Sequence, residues 1–420
     1  MMRHYEIGII GAGASGMAAA LAAAEARPGC SIVLAERNTE PGKKLLATGN
    51  GRCNYLNSRA CADDYYSDEG GEEAARLIEA VFDEVPVACA RNFLKNTGIE
   101  PYEEEDGRMY PRSNQASSVQ RALHKAVMRA GITLLAPFWA RKVERQRDGG
   151  FIVTSDDDRS FMCDKLILTT GGKAGIQYGS SGDGYRFAME MGCGGVKPVP
   201  ALTSLVCTQE MDKLAGVRAK GRVTLYRNEN GAECWMASDS GEIQFTKEGI
   251  SGICTFNVSR FYRIAEGRSH RVLLDLFEEF DEASLEAEFF ARRQRFAEER
   301  ADVMLLGMLP EKLGAYLLNL AGVTDARTLC GSLDDACLQR LARLGKALEF
   351  NIIGTGMWKD CQVTAGGLLL SECKDTLESL KVPGLYLAGE ILDIDGPCGG
   401  YNLSWAFCSG ILAGRSAAQG

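Results

Sequence analysis

The 420-residue chain has few of the patterns that mark metal-binding, membrane and nucleic-acid-binding proteins. Its three histidines, His4, His124 and His270, lie far apart in sequence, so each is more typical of a surface or core residue than of a catalytic base. No uncharged apolar run reaches the roughly 18 residues that span a bilayer. No long basic stretch is present either. We therefore expect no membrane span and no nucleic-acid partner.

Paired cysteines are also missing. The 15 cysteines are scattered and form no C-x-x-C pair, which argues against a metal site. A flavin-dependent disulfide reductase would carry C-x-x-x-x-C in the loop after its ribose-binding acid, whereas this chain has Cys53 there and the next cysteine, Cys61, eight residues on. In a chain without signs of secretion, most of them are expected to be buried, reduced thiols that pack as small apolar residues.

The composition is ordinary for a globular protein. Hydrophobic residues make up 45% and charged residues 25% of the chain, and 56 acidic against 47 basic side chains give a net charge of −9. A chain of this length exceeds one compact core, so two or three lobes are expected. Because the first strand pattern begins near residue 5, little room is left for a signal peptide, and we expect a cytoplasmic protein.

The chain is organised around its opening stretch, Y-E-I-G-I-I-G-A-G-A-S-G-M from residue 5 to residue 17. An apolar strand pattern ends at Gly11, and an alanine-rich helix pattern follows. Gly11, Gly13 and Gly16 have G-x-G-x-x-G spacing, which suits a tight turn, approach of a pyrophosphate, and close packing of helix on strand. A second apolar run ends at Glu36, near the spacing of an acid that accepts from ribose hydroxyls. This order predicts a dinucleotide site, with a glycine-rich turn in an ordinary α/β protein as the alternative.

Later segments again combine apolar strand patterns with glycine-rich loops. A polar, glycine-rich loop covers residues 41–54 and has the character of a functional surface loop. Buried strand patterns end at Thr170-Gly171-Gly172 and at Gly389-Glu390. The last helix pattern opens at Tyr401 after a loop over residues 393–400. Between these parts the composition changes, with alternating strand patterns over 196–276 and charged helical patterns over 282–345.

We therefore predict an α/β fold with a discontinuous Rossmann-like domain, 1–192 and 362–420, and an inserted domain, 193–361. The inserted domain should hold a β-barrel-like part, 196–276, and a helical part, 282–345.

Taken together, these motifs make the chain similar to the BaiN-type family of NAD(P)/FAD-dependent oxidoreductases, also described as aminoacetone-oxidase-like flavoproteins. The resemblance covers nearly the whole chain. Its most specific motifs are T-G-N-G-R-C-N at 48–54 and G-G-Y-N-L at 399–403, with T-G-G at 170–172, V-T-A-G-G at 363–367 and G-E at 389–390 in support. The chain departs from the family where Ile253 replaces a usual proline and Leu377 a usual methionine.

The resemblance implies that the Rossmann-like domain binds FAD, and the acid of the Gly389-Glu390 pair suits a place beside the ribityl chain. The flavin ring is expected between the 48–54 loop and the start of the last helix. The residues implied in cofactor binding are Gly11, Gly13, Ser15, Gly16, Glu36, Arg37, Lys44, Thr48, Gly49, Asn50, Arg52, Cys53, Asn54, Val143, Thr170, Gly171, Gly172, Gly389, Glu390, Gly400, Tyr401, Asn402 and Leu403.

Arg52 and Tyr401 are the candidate catalytic residues. The Arg52 guanidinium can hold an anion, the flavin or a substrate carbonyl, with a loop salt bridge as the alternative. Tyr401 can donate a proton or simply stack on the ring. Cys53 can be a reactive thiol, but a packed thiol in a tight loop is the more ordinary reading.

Three functions remain open at this point. The first is reduction of an activated C=C or C=N bond in a small organic substrate, with NAD(P)H as electron donor. The second is an amine or alcohol oxidase or dehydrogenase, and the third is a non-catalytic or RNA-modifying flavoprotein. The acidic balance of the chain argues against the third. Because no second G-x-G-x-x-G unit is evident, NAD(P)H is expected to dock transiently. The oligomeric state stays open.

Overall fold

The structure is a computed structural model that describes residues 2–263 and 268–420. The chain divides into two compact units, one made of Met1–Pro200 with Trp358–Gly420 and one made of Ala201–Met357. The first unit is therefore discontinuous in sequence. The finer boundaries expected above, at 192/193 and 361/362, stay a prediction.

Strands in the described residues are, in chain order, β1 (Arg3–Ile10), β2 (Ile32–Ala35), β3 (Leu56–Asn57), β4 (Pro101–Glu103), β5 (Arg108–Pro111), β6 (Thr133–Leu135), β7 (Ala140–Arg145), β8 (Phe151–Ser155), β9 (Ser160–Leu168), β10 (Val199–Ala201), β11 (Leu205–Cys207), β12 (Arg218–Glu229), β13 (Ala232–Phe245), β14 (Gly249–Ser251), β15 (Arg268–Asp275), β16 (Leu348–Thr355), β17 (Val363–Ala365) and β18 (Leu385–Leu387).

The α-helices in the same residues are α1 (Ala14–Ala26), α2 (Gly71–Glu84), α3 (Val87–Thr97), α4 (Ala116–Arg129), α5 (Asp183–Glu190), α6 (Ile253–Ser259), α7 (Glu282–Arg295), α8 (Glu311–Leu320), α9 (Asp335–Lys346) and α10 (Tyr401–Gln419). Short 3₁₀ segments lie between several of these elements.

The main sheet of the first unit is mixed. Its order in the described residues is β6-β2-β1-β9-β8-β7, and β18 also pairs with β9. Pairing is parallel from β6 through β2 and β1 to β9 and β18, and antiparallel from β9 through β8 to β7. The parallel strands are buried toward their carboxyl ends, at residues 7–10 of β1, 32–35 of β2, 166–168 of β9 and 385–387 of β18, as expected where both faces of a sheet are covered. This confirms the Rossmann-type part of the predicted fold.

Helices α1 and α10 pack together on this sheet at backbone distance. A Cβ added at Gly410 would lie 2.4 Å from the Ser15 carbonyl oxygen, and one at Gly414 would lie 2.1 Å from the Ala19 carbonyl oxygen. Only glycine fits at either position, so two glycines one turn apart set how closely the first and last helices approach.

Two small sheets complete the first unit. Strand β5 lies between β3 and β4 in a three-stranded antiparallel sheet, and β10 pairs with β17. The β4–β5 hairpin turns at Asp106-Gly107, a residue pair that favours tight turns.

The second unit contains a closed antiparallel barrel. In the described residues its order is β11-β14-β13-β12-β15-β16, and β16 returns to pair with β11. The predicted barrel and helices are both present, and the last barrel strand follows α7–α9 in sequence rather than preceding them. The apolar core of this unit combines residues of the barrel and of the helices.

The loop over 41–54 contains short 3₁₀ turns over Lys43–Gly51. Backbone angles inside this segment are not helical at Thr48, Gly49 and Asn50, so the turns are broken where the glycine and asparagine stand.

In the part of the chain that the structure describes, no helix is long and apolar enough to cross a membrane. The same residues contain no cluster of His, Cys, Asp and Glu side chains suited to a metal ion.

Candidate functional site

Four predicted segments meet at one edge of the main sheet. Strand β1 ends at Ile10, whose register partners are the last residues of β2 and β9, Ala35 and Leu168. Leu387, the last residue of β18, is also paired with Leu168. The glycine-rich turn, Glu36, the T-G-G segment and the G-E segment follow these four strand ends. Ligands of open α/β sheets bind beyond this carboxyl edge.

The glycine-rich turn divides its glycines between two roles. Gly11 has φ +103°, and a Cβ there would lie 2.5 Å from the Thr169 carbonyl oxygen. A Cβ at Gly16 would lie 1.8 Å from the Gly11 carbonyl oxygen. Gly13 differs, because its φ of −79° suits any residue and a Cβ there would meet nothing within 4 Å. Packing in the fold explains the first and third glycines, and space for a ligand explains the second.

The start of α1 fits a phosphate group. Among the described residues, the buried hydroxyl of Ser15 has no hydrogen-bond partner. Gly13 caps the helix without a side-chain hydrogen bond, and the first turn holds no acid. Free N–H groups and the helix dipole make such an end favourable for anions. The open space at Gly13 and the unpartnered Ser15 hydroxyl together fit the pyrophosphate of FAD.

Glu36 is buried at the end of β2 and is already engaged. One carboxylate oxygen accepts from the Ala12 backbone N–H at 2.8 Å, and the other accepts from the backbone and side-chain nitrogens of Asn38, both at 2.8 Å. A carboxylate has further acceptor capacity, so these contacts orient the acid without excluding ribose hydroxyls. The neighbouring Arg37 guanidinium lies 3.9 Å over the Trp139 ring.

Glu390 joins three of the predicted segments. Lys44 Nζ donates to Glu390 Oε2 at 2.7 Å, and the Thr364 backbone N–H donates to Oε1 at 2.9 Å. Thr364 Oγ1 accepts from the backbone of Lys173 at 2.8 Å, directly after the T-G-G segment. A Cβ at Gly172 would lie 2.2 Å from that same hydroxyl oxygen. Thr364 is thus a site residue that spacing alone did not single out, although it stands in the V-T-A-G-G motif.

The T-G-N-G-R-C-N loop turns through left-handed backbone angles at Gly49, Asn50 and Cys53, with φ of 56°, 54° and 61°. Asparagine adopts this region more readily than other side chains do. Cys53 is fully buried, and burial raises the pKa of its thiol to about 12. This environment supports the packed-thiol alternative for Cys53. The Thr48 hydroxyl donates within the loop, to the Leu45 carbonyl at 2.6 Å.

The end of this loop lies against the start of α10. A Cβ at Gly400 would lie 2.7 Å from Asn54 Oδ1, a buried oxygen with no hydrogen-bond partner among the described residues. Asn57, in β3, donates from Nδ2 to the Gly399 carbonyl at 2.8 Å. The two segments expected to hold the flavin ring are therefore neighbours, and Asn57 is a connecting residue that the sequence did not reveal.

Tyr401 opens α10 and is partly buried. Its backbone carbonyl accepts from the Tyr65 hydroxyl at 2.7 Å, and the two rings lie edge to face with centroids 6.4 Å apart. Burial raises the pKa of the Tyr401 hydroxyl, so this group keeps its proton at neutral pH. Next to it, Asn402 closes the preceding loop by bonding both the N–H and the carbonyl of Gly396, at 2.9 and 2.8 Å.

Arg52 is held from two sides. Its Nη1 donates to Glu104 Oε1 at 3.1 Å and its Nη2 donates to the Tyr110 hydroxyl at 3.1 Å. The guanidinium also lies 4.1 Å over the Tyr110 ring. Both partners come from the β4–β5 hairpin, some fifty residues away, and no local sequence signal connects them with Arg52. About 40% of the Arg52 side chain stays exposed, and a guanidinium has more N–H donors than these two contacts use.

For the remaining predicted residues, the structure gives mainly their position in the fold. Thr170 and Gly171 follow β9, and Gly171 has a φ of +70°. Val143 is buried within β7 and is separated from β1 by β9 and β8. Leu403 packs against the core of the first unit.

Known proteins resemble this chain over almost its whole length. The family model described as HI0933-like protein Rossmann domain matches residues 5–416. A 3-dehydro-bile acid delta(4,6)-reductase from Clostridium scindens is 36% identical, with 98% of this chain and 99% of that protein covered. A ribosomal RNA dihydrouridine synthase from Escherichia coli is 27% identical, with 97% of this chain and 96% of that protein covered.

A solved structure supports the fold. The 3-ketosteroid delta1-dehydrogenase of Sterolibacterium denitrificans matches with a TM-score of 0.50 and 12% identity, over 99% of this chain and 100% of that chain. At this identity the likeness concerns the fold alone. With the family match and the 36% identical relative, the resemblance of the sequence motifs is confirmed. The chain belongs to the HI0933-like family, the group of the BaiN-type FAD-dependent oxidoreductases.

Proposed function

We propose that this FAD-dependent oxidoreductase reduces a carbon–carbon double bond conjugated with a carbonyl group in a small organic substrate, with NAD(P)H as electron donor. The observation that supports this best is Arg52, a half-exposed guanidinium fixed beside the segments expected to hold the flavin. When bound, FAD supplies the hydride chemistry. The chain must then hold the substrate, stabilise charge on its oxygen and supply a proton.

Arg52 suits the second of these tasks. Adding hydride to the far carbon of a conjugated system moves negative charge onto the carbonyl oxygen. Because this charge develops in the transition state, a positioned guanidinium stabilises the transition state more than the ground state and so lowers the barrier. Its contacts with Glu104 and Tyr110 hold the group in place before the substrate arrives.

Tyr401 suits the third task. Its hydroxyl is protonated at neutral pH, and Tyr401 is the first residue of α10, directly after Gly400, which lies against Asn54 of the 48–54 loop. We assign it as the proton donor to the carbon next to the carbonyl. The buried Cys53 thiol has no role in this proposal.

The names of two relatives point to the same bond. A 3-dehydro-bile acid with delta-4 and delta-6 double bonds has an alkene conjugated with its 3-oxo group. Formation of dihydrouridine saturates the uracil double bond next to a carbonyl. The 36% identity to the bile-acid enzyme, against 27% to the RNA enzyme, favours a small substrate for this chain.

RNA modification is the second candidate, since a relative named for it matches nearly the full length of the chain. The net charge of −9 disfavours it, because proteins gain most of their nucleic-acid affinity by neutralising phosphates with basic side chains. The absence of a nucleic-acid partner stays a prediction.

The deciding experiment is anaerobic stopped-flow of the purified holoenzyme. NADH and NADPH are mixed in turn with the oxidised protein, and loss of flavin absorbance identifies the donor. The reduced protein is then mixed with a 3-oxo-delta-4 steroid, with benzylideneacetone and with a ribosomal RNA transcript. We expect rapid return of flavin absorbance with an enone.

Other outcomes separate the alternatives. Reoxidation by the RNA transcript alone would select the second candidate. If neither nicotinamide reduces the flavin while an amine or alcohol does, the protein is an oxidase or dehydrogenase and the proposal is wrong.

A further inference from the structure

Three cations around the proposed site have a carboxylate partner. Arg52 pairs with Glu104 at 3.1 Å, and Lys44 pairs with Glu390 at 2.7 Å. Arg108 pairs with Asp106 at 2.8 Å, and its Nε would lie 3.3 Å from a Cβ at Gly399. Three ion pairs therefore border the 48–54 loop and the start of α10, and Arg52 belongs to one of them.

Pairing changes what an arginine selects. A guanidinium without a partner attracts carboxylates and phosphates, and it often binds them with two parallel hydrogen bonds. A guanidinium beside a fixed carboxylate remains a strong hydrogen-bond donor, but the pair has no net charge. An anionic ligand at Arg52 would also face the Glu104 carboxylate, and like charges at short range repel.

We infer that Glu104 is a specificity-determining residue, which makes the Arg52 site select an uncharged carbonyl over a carboxylate as the polar group of the substrate. This rests on the proposed function in one respect, that Arg52 receives the substrate oxygen. It adds that conjugated ketones, amides and imides fit the site and conjugated acids do not.

Backbone geometry fixes Glu104 where this role requires it. Its N–H donates to the Arg108 carbonyl at 2.9 Å, and its carbonyl accepts from the Gly107 N–H at 3.0 Å, so it belongs to the hairpin turn itself. Tyr110 orients the second side of the guanidinium, and this buried tyrosine is fixed by its strand position opposite Tyr102. Tyr110 is a positioning residue in this arrangement, and the charge balance depends on Glu104.

The test compares two probes of nearly the same shape. Benzylideneacetone and cinnamate share a phenylvinyl skeleton and differ in a methyl ketone against a carboxylate. Their dissociation constants for the oxidised holoenzyme are measured by the change in flavin absorbance on binding, at neutral pH. Because this assay measures binding and needs no turnover, it tests the role of Glu104 even if the enone proves not to be a substrate.

Three variants accompany the wild-type protein. Glu104→Gln keeps the shape and removes the charge, and Tyr110→Phe keeps the ring and removes the hydroxyl. Glu103→Gln is the matched control, because Glu103 lies one residue away in the hairpin and its nearest cation, Arg91, is 4.0 Å distant. FAD content and melting temperature are recorded for each variant to exclude misfolding.

We expect the wild-type protein to bind the ketone at least about tenfold more tightly than the carboxylate, a difference of about 1.4 kcal/mol. Glu104→Gln should reduce or invert this ratio, Glu103→Gln should keep it, and Tyr110→Phe should weaken both probes to a similar degree. The inference is overturned if the wild-type protein binds cinnamate equally well or better, if it binds neither probe, or if Glu104→Gln leaves the ratio unchanged. Reduction of benzylideneacetone in the stopped-flow assay, measured separately, reports on the proposed function alone.

Discussion

The contact between the first and last helices makes the sharpest stability prediction. In α10, a Cβ at Gly414 would lie 2.1 Å from the carbonyl oxygen of Ala19 and 2.8 Å from its carbonyl carbon. Ordinary van der Waals contact begins at 3.4 Å, so Gly414→Ala leaves the pair 3.4 − 2.1 = 1.3 Å too close. The atoms in the way are the backbone of α1, which cannot rotate aside. The helices must therefore separate.

The expected cost follows from two opposed effects. Overpacking a well-packed interior costs about 1–3 kcal/mol. Alanine favours the helix over glycine by up to about 1 kcal/mol, which offsets part of this cost. Because the atoms in contact are backbone, the upper end of the overpacking range applies, and the net destabilisation should be about 3 − 1 = 2 kcal/mol. For a unit of this size, each kcal/mol lowers the melting temperature by about 2–4 °C.

Thermal unfolding by circular dichroism, with flavin fluorescence as a second signal, measures both stability and release of FAD. Gly414→Ala should melt several degrees lower than the wild-type protein. Ser416→Ala, two residues along the same helix and half-exposed, should leave the melting temperature unchanged or slightly higher. Because the clash is with backbone, adding Ala19→Gly should not rescue Gly414→Ala. An unchanged or higher melting temperature for Gly414→Ala would refute the close helix contact.

Further predictions concern the cofactor, a buried acid and a thiol. Gly13→Val should prevent FAD uptake in titrations but leave the melting temperature of the apoprotein unchanged, because a Cβ at Gly13 meets no protein atom within 4 Å. Gly16→Ala should lower that melting temperature, because its Cβ would lie 1.8 Å from a backbone oxygen, and equal effects of the two variants in both assays would contradict the prediction. Burial raises the pKa of Asp393 above its usual 3.8, so the stability linked to its protonation is lost as pH rises through the raised pKa. In urea titrations Asp393→Asn should therefore gain stability over the wild-type protein as pH rises through that range, and a difference that stays constant with pH would count against this. Ellman's reagent followed by mass spectrometry should label the exposed Cys61 and leave the buried Cys53 unmodified in the native protein, and rapid labelling of Cys53 would show that the loop opens.

Local patterns predicted much of the first unit. Thr133–Leu135 and Phe151–Ser155 are short apolar runs between turn residues, a pattern that predicts strands, and both form strands in the structure. Pro86 separates α2 from α3, because proline cannot continue a helix. These elements are determined by neighbours in sequence, and so the sequence reveals them.

Pairings between distant residues were harder to predict. The barrel closes through β16, which follows the helices of the second unit in sequence. The residue pattern of β16 does not indicate that it pairs with β11 and β15. The same applies to Arg52, whose contacts with Glu104 and Tyr110 form only when the hairpin folds beside the loop. The sequence could propose Arg52 as functional, but its salt bridge and its orientation depend on the fold.

The candidate site shows why the opening motif alone could not distinguish one dinucleotide from another. The G-x-G-x-x-G turn and Glu36 suit any ligand with a pyrophosphate and a ribose, because these groups are shared. We expect the far end of the chain to provide what is specific to a flavin site, where Glu390 meets Lys44 and where Gly400 meets Asn54. Both contacts join residues more than 300 positions apart, and both depend on β18 lying beside β9 at the carboxyl edge of the sheet. We therefore predict that the return of the last 60 residues to the first fold unit selects the cofactor, and that variants in β18 or α10 affect flavin binding as strongly as variants in the opening turn.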